Sequence, residues 1–324
     1  MFKQKMMKFA LCSTMLLGAV ATTIPTLAKA QSNDDYLYDL ERQLKEAVVG
    51  IGKRKVADID PHKVYLYRSY SMDPIQPEIK QVSVEADGPA ASVKQDTIYV
   101  DSADLVNDTN EELTMASQSF SKKVSNSVIT STTHSFKIAG KASAKFSVPA
   151  LGELGIDLSP EYNLSKLNSN TTTEEFTYTV PSQRIKVPKN TTAKVSVRLK
   201  QSTLKGNVKT YTTISGRVKG NYDYIDRHSP IGINQFVPYY PKYDYTFNEA
   251  FTEAYALFHQ VFPMIRVNND RETIDLIGKG TYEVQYGTEF EVRVKYYDKH
   301  GKEKRDLKKK EEVYTVKAKI DKVH

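Results

Sequence analysis

The residues with the most informative spacing lie between positions 138 and 164. Even positions of the first run read Ile138, Gly140, Ala142, Ala144, Phe146 and Val148, while odd positions 139 to 147 read Ala, Lys, Ser, Lys, Ser. In the second run the even positions are Leu154, Ile156, Leu158, Pro160, Tyr162 and Leu164, and the odd ones Gly, Asp, Ser, Glu, Asn. A strand sends successive side chains to opposite sides, so each run has one apolar and one polar face. The chemistry is partition rather than catalysis: one side suits lipid or a protein core, the other suits water.

A five-residue turn of Pro149, Ala150, Leu151, Gly152 and Glu153 would join the runs, with antiparallel partners whose residue numbers sum to 302. Lys145 then faces Asp157 and Lys141 faces Glu161, which places opposite charges across the pair twice. Each arm has eleven residues, and roughly 9 to 11 tilted residues cross a bilayer. One hairpin cannot close a barrel, and open edges are not tolerated in hydrocarbon, so a spanning role requires one hairpin from each of several chains. A hairpin of a soluble sandwich, buried on its apolar side, shows the same alternation.

Signals of catalysis are weak. His62, His134, His228, His259, His300 and His324 are scattered, and there is no H-E-x-x-H, G-x-S-x-G or Walker-type loop. Residues 268–272 (NNDRE) lack the glycine of a calcium loop and read as a polar turn. The reading is a non-enzyme without cofactor or metal.

The elements that must position the hairpin follow a distinct N-terminal segment. Lys3, Lys5 and Lys8 precede an apolar run from Phe9 to Val20 and a small-residue exit at Ala28-Lys29-Ala30. This is the pattern of a secretory signal peptide over 1–30, cleaved after Ala30, which makes the protein secreted. Removing those residues takes away four lysines and no acid, so 46 basic residues become 42 against 39 acidic ones, a balance of +3. Nucleic acid then has little to bind. The single cysteine, Cys12, lies inside the leader, so the exported chain must be held by its core and hydrogen bonds.

Residues 34–49 carry apolar side chains at helical spacing and predict one amphipathic helix. Eleven of the twenty-two residues from Thr114 to Ser135 are Ser or Thr, which suits long solvated strands. A second helix is predicted over 248–262, placing Phe251, Tyr255, Phe258 and Phe262 on one face. Residues 298–312 (DKHGKEKRDLKKKEE) read as an exposed charged loop.

Several collinear segments resemble a known family. The stretch TVPSQRIKVPKNTTAKVSVRLKQSTLKGNVKTYTTISG (179–216), with ASQSFSKK (116–123), TSTTHSF (130–136), AKFSVP (144–149) and IGKGTYEV (277–284), is similar to the epsilon toxin and mosquitocidal toxin family of aerolysin-like β-pore-forming toxins. The resemblance covers roughly 97–297. It implies a mainly β, elongated aerolysin-like fold of long antiparallel strands with a small helix-containing head. It also implies attachment to a target-cell membrane through a surface receptor, proteolytic activation, and homo-oligomeric rings, usually heptamers, that insert a hairpin from each subunit.

Carried onto this chain, AKFSVP selects the residues that alternation had selected. The implied organisation is a signal peptide (1–30), a discontinuous receptor-binding head (31–100 and 220–272), a pore-forming body (101–219) with insertion hairpin 136–166, and C-terminal strands with an activation tail (273–324). The even positions would face lipid; Lys137, Lys141, Lys145, Asp157 and Glu161 would line the lumen, with weak, slightly anion-favouring selectivity. Ser/Thr-rich strands would cradle the hairpin before insertion, and Val in their place is expected to trap the soluble form. Tyr239, Tyr240, Tyr243 and Tyr245 are the receptor-contact candidates, and Lys302, Lys304, Arg305, Lys308, Lys309 and Lys310 the trypsin-like activation sites. The tyrosine-rich N-terminal receptor region of epsilon toxin has no clear match here. A secreted β-rich adhesin or carbohydrate-binding protein that forms no pore is the alternative.

Overall fold

Two strands of 25 and 26 residues, Thr191–Ser215 and Thr273–Asp298, organise the chain. Both alternate apolar and polar side chains, so each can bury one side and wet the other. The computed structural model describes residues 36–55, 65–138, 140–226, 237–259, 261–304 and 311–323. The expected leader with Ala30, and Arg305, Lys308, Lys309 and Lys310 of the tail, lie outside the described residues.

In chain order the elements begin with β1 (Tyr36–Asp39), α1 (Leu40–Lys55), β2 (Tyr65–Met72), β3 (Glu78–Ala86), β4 (Ala91–Asn107), β5 (Leu113–Ala116) and β6 (Phe120–Lys137). Next come β7 (Ser143–Lys145), α2 (Pro149–Gly152), β8 (Glu161–Asn163), β9 (Ser169–Val180), β10 (Arg184–Val187), β11 (Thr191–Ser215) and β12 (Arg217–Asp226). The chain ends through β13 (Val237–Tyr239), β14 (Lys242–Thr246), α3 (Phe247–Phe258), β15 (Ile265–Asn268), β16 (Thr273–Asp298), β17 (Glu311–Lys317) and β18 (Lys319–Lys322).

The large sheet runs β18-β9-β6-β16-β11-β3, with β4 also on β11 and β17 also on β16. β11 and β16 pair antiparallel from Thr191↔Asp298 to Ile214↔Ile274, interrupted by one bulge between Leu199 and Gln201. Their inward residues Val195, Val197, Leu199, Phe290, Val292 and Val294 are fully buried. β6 takes one edge of β16 from Lys279 to Gln285, and β17 takes the same edge from Glu289 to Lys295.

At that changeover the Gly287 N–H donates to Asn126 Oδ1 (3.3 Å) and to Tyr178 Oη (3.2 Å), while Asn126 Nδ2 donates to Tyr178 Oη at 2.7 Å. A Cβ at position 287 would stand 2.7 Å from the Tyr178 ring, so only glycine allows the approach. These buried polar groups satisfy one another where the ladder changes partners, which removes the cost of leaving them unpaired.

A second core lies under the four-stranded sheet of β2, β12, β13 and β14. β1 pairs with β6 before α1 begins, so the predicted helix over 34–49 starts later, at Leu40, and runs on to Lys55. The two glycines near its end do not stop it. Gly52 is instead where Tyr222 closes on the helix: a Cβ there would lie 2.5 Å from the ring, and Tyr224 Oη donates to the Gly52 carbonyl at 2.7 Å. α3 opens with a capping box, in which the Thr246 N–H donates to Glu249 Oε2 (2.7 Å) and Thr246 Oγ1 accepts from the Glu249 N–H. It ends at Phe258, short of the expected 262, because His259 adopts a left-handed conformation (φ 52°). Tyr255 is 56% exposed, whereas Phe251 and Phe262 meet edge to face at 4.7 Å, so the expected four-aromatic face divides.

The residue range expected as head also divides, because β3 and most of β4 join the large sheet through β11. Among the described residues no helix is long and apolar enough to cross a membrane.

Candidate membrane-insertion hairpin

The runs 138–148 and 154–164 do form an antiparallel pair, but a short one. Ser143↔Asn163, Ala144↔Tyr162 and Lys145↔Glu161 are partners, extended by Phe146 N–H to the Pro160 carbonyl (2.9 Å) and Leu164 N–H to the Ala142 carbonyl (2.8 Å). Partner numbers sum to 306, not the expected 302, so Lys145 stands across from Glu161. The physical reason is the connection: Pro149 starts a helical turn, α2, and the chain closes only after Gly155, where φ is +71°. The shift is even, so every side chain keeps its face.

That sorting is carried into the fold. Ala142, Phe146, Val148, Ile156, Leu158, Tyr162 and Leu164 are buried, as is Leu151 of the turn. Lys137, Lys141, Lys145, Glu153, Asp157 and Glu161 are exposed, along with Pro149 and Gly152. Ile138, Ala144 and Ala150 are half-buried, and Gly140 and Leu154 are the two apolar-face positions that reach solvent.

The apolar face lies against the chain's own sheet. Phe146 packs on Tyr162 (6.0 Å between centroids, edge on) and Tyr282 of β16 (5.1 Å). Tyr162 Oη donates to the Thr281 carbonyl at 2.9 Å. β6 supplies hydroxyl anchors: Thr132 Oγ1 donates to the Asn163 carbonyl (3.1 Å) and Ser135 Oγ to the Leu164 carbonyl. These bonds satisfy carbonyls that a three-pair ladder leaves open. Periodicity marks the Ser/Thr-rich strand as polar, but nothing in it pairs a hydroxyl with a carbonyl so distant along the chain.

The model of the Clostridium epsilon toxin ETX/Bacillus mosquitocidal toxin MTX2 family matches residues 65–307. The chain belongs to this family. No curated protein matches its sequence. Among solved structures, this family member is similar to the Mpp75Aa1.1 beta-pore-forming protein from Brevibacillus laterosporus, at 18% identity and a TM-score of 0.64 over 89% of this chain and 98% of that one. It is also similar to a crystal protein from Bacillus thuringiensis described as non-toxic, at 17% identity and a TM-score of 0.55 over 81% of this chain and 98% of that one. At these identities the likeness establishes the fold: mainly β, aerolysin-like, with long antiparallel strands, as the resemblance implied.

The tyrosines of this family member separate into two groups. Tyr239 and Tyr240 are exposed (41% and 59%), and Tyr239 stacks on Tyr224. Tyr243 is buried, its hydroxyl donating to the Ser71 carbonyl at 2.7 Å, so it is part of the core and not of a surface row. Tyr245 is half-buried and accepts from Lys55 Nζ at 2.9 Å. Burial pushes the Tyr243 and Tyr222 hydroxyls well above the usual phenol range.

In the tail, Lys302 is exposed, whereas Lys304 Nζ donates to Thr191 Oγ1 at 2.7 Å. Beyond the charged stretch, β17 covers the β16 edge and β18 covers β9 from Phe176 to Thr179. Arg293 Nη1 to Glu311 (3.1 Å) and Lys322 to Glu174 (2.7 Å) hold the two pieces.

Proposed function

We propose that this chain is a secreted pore-forming toxin that attaches to a target-cell surface, oligomerises and inserts the hairpin 136–166 from each subunit into a shared β-barrel. The observation that carries this reading is the hairpin itself, sorted into apolar and polar faces yet joined by only three residue pairs and stored on the sheet by side chains. In the barrel the buried even positions would exchange the sheet for lipid, and α2 with residues 149–153 would form the tip. Lys137, Lys141, Lys145, Asp157 and Glu161, already in water, would face the lumen. The ring would be a heptamer by the pattern of the family. Tyr239 and Tyr240 are the surface-contact residues that exposure supports best.

Cleavage in 302–310 would free β17 and β18 together and bare two strand edges at once, the β16 edge from Glu289 and the β9 edge from Phe176. Such edges are templates for pairing with another copy.

A tether tests the reading. In lightly trypsinised Thr132→Cys/Asn163→Cys protein, disulfide formation would pin the hairpin to β6. Discrete current steps across a planar bilayer are expected from the parent protein, none from the oxidised variant, and steps again after reduction. Steps that persist in the oxidised variant overturn hairpin insertion. Silence throughout with undiminished cell binding favours the adhesin reading.

A further inference from the structure

Away from the hairpin, the β3, β11, β16 and β15 strands carry a purely polar patch on one sheet face. Register places Tyr211 across from Ser83, Thr213 across from Gln81 and Asp275, and Arg266 across from Asp275, so these side chains share that face. With Arg271 of the β15–β16 turn they line a cleft of about 320 Å³ that contains no aliphatic side chain.

One acid of the cleft, Asp275, is engaged by a neighbouring hydroxyl. Asp275 Oδ1 accepts from Thr213 Oγ1 at 2.7 Å, and the nearby Glu85 carboxylate raises the pKa of the Tyr211 hydroxyl. The cations are not engaged in this way. Arg266 lies over the Tyr211 ring, 5.6 Å from its centroid, and neither its guanidinium nor that of Arg271 has an ion-pair partner among the described residues. The Thr273 side chain, 6% exposed, has a hydroxyl with no hydrogen-bond partner, and it stands across from Asn268, whose Oδ1 accepts from the Arg271 N–H at 3.2 Å. The unused capacity is therefore two planar cationic forks beside hydroxyl and amide groups, in a cleft that also holds the carboxylates of Glu85 and Asp275.

We propose that this cleft binds an anionic saccharide, a carboxylated or sulfated sugar unit, with Arg266 and Arg271 on the acid group and Gln81, Ser83 and Thr273 on its hydroxyls. Arginine forks match the two oxygens of a carboxylate or sulfate. The polar neighbours favour a hydroxylated ligand, and the cleft offers an acyl chain nothing to pack against. This assignment deepens the surface-attachment step proposed above and rests on it, but the hairpin plays no part.

The test titrates immobilised full chain with 3′-sialyllactose and a sulfated heparin disaccharide, with lactose and phosphatidylserine vesicles in parallel. Saturable binding to an acidic sugar and none to lactose is expected. Arg271→Gln, on an exposed turn, and Arg266→Gln should each weaken it about tenfold or more, the scale of a lost charged hydrogen bond. Unchanged far-ultraviolet circular dichroism keeps the fold out of the comparison. Absent binding, equal binding to lactose, indifference to both substitutions, or binding to the vesicles alone overturns the assignment. Bilayer conductance of the same samples separates this outcome from the pore reading: current steps without sugar binding overturn only the cleft.

Discussion

The β11–β16 ladder and the stored hairpin are both antiparallel, amphipathic and buried on one side, yet they are held by different forces. The ladder has backbone pairs running from Thr191 to Ile214 with fully buried Val, Leu and Phe beneath them. The hairpin has three residue pairs, and most of what keeps it in place is its apolar face plus hydroxyl bonds from Thr132 and Ser135. Backbone ladders lock register, whereas side-chain burial can be exchanged for another apolar environment at little net cost. The part proposed to move is thus the part whose stabilisation lipid can replace.

The strongest way to break this contrast is to truncate one large side chain in each region. Phe290→Ala in the ladder should cost about 3–5 kcal/mol of global stability, read as a lower denaturant midpoint. Phe146→Ala should remove a similar packing contribution but act locally, raising amide exchange over 142–164 while Val195 to Leu199 stay protected. Uniform loss of protection would show that the two regions open as one.

Alkaline pH probes the end of the ladder where the C-terminal strands attach. Burial, and then the adjacent Glu312 carboxylate, push Tyr296 from 10.0 up to about 12. The unfolded chain begins to ionise near 10.0 while the folded one stays neutral, so this contribution is complete below that pH and is lost as pH rises toward about 12. Tyr296→Phe should flatten the stability profile in that window, measured by denaturant unfolding at fixed pH steps.

A smaller effect sharpens the role of the hydroxyls. Thr132→Val removes the bond to the Asn163 carbonyl and should loosen the docked hairpin by about 1 kcal/mol, shortening the lag before current steps appear. This reverses the sign expected from the sequence, where Ser and Thr read as a low-friction surface. The geometry makes them anchors, and a longer lag would restore the low-friction view.

The least stability change is expected at the exposed positions. Lys145→Glu should shift unfolding by less than about 0.5 kcal/mol, yet in an assembled channel it should turn weak selectivity toward cations, read from reversal potentials. Unchanged selectivity would remove Lys145 from the lumen.

Much of the hairpin was legible because alternation is local. Phe146 and Ile156 fall on the buried side and Lys145 and Asp157 on the wet side in any register whose partner numbers have an even sum. The register itself was not legible: the helical turn from Pro149 lengthens the connection, and no periodicity reports a turn's length. Tyr243 and Tyr239 look alike among Pro and Lys in sequence, and only the neighbours Ser71 and Tyr224, contributed by distant strands, separate core from surface. The pairing of Gly287 with Asn126 and Tyr178 left no local signal, since each partner comes from a different strand.

The order of residues was enough to settle the mainly β class, the two faces of each hairpin arm and the residues that divide between them, because side-chain parity along a strand needs no knowledge of the rest of the chain. Long-range packing settled that the apolar face is stored on β6 and β16 and that Arg266 and Arg271 share a cleft with the hydroxyls of distant strands, while the helical turn from Pro149 set the partner sum of 306. The first two depend on contacts between residues far apart in sequence, set by which edges and faces remain unpaired once β11 and β16 have joined.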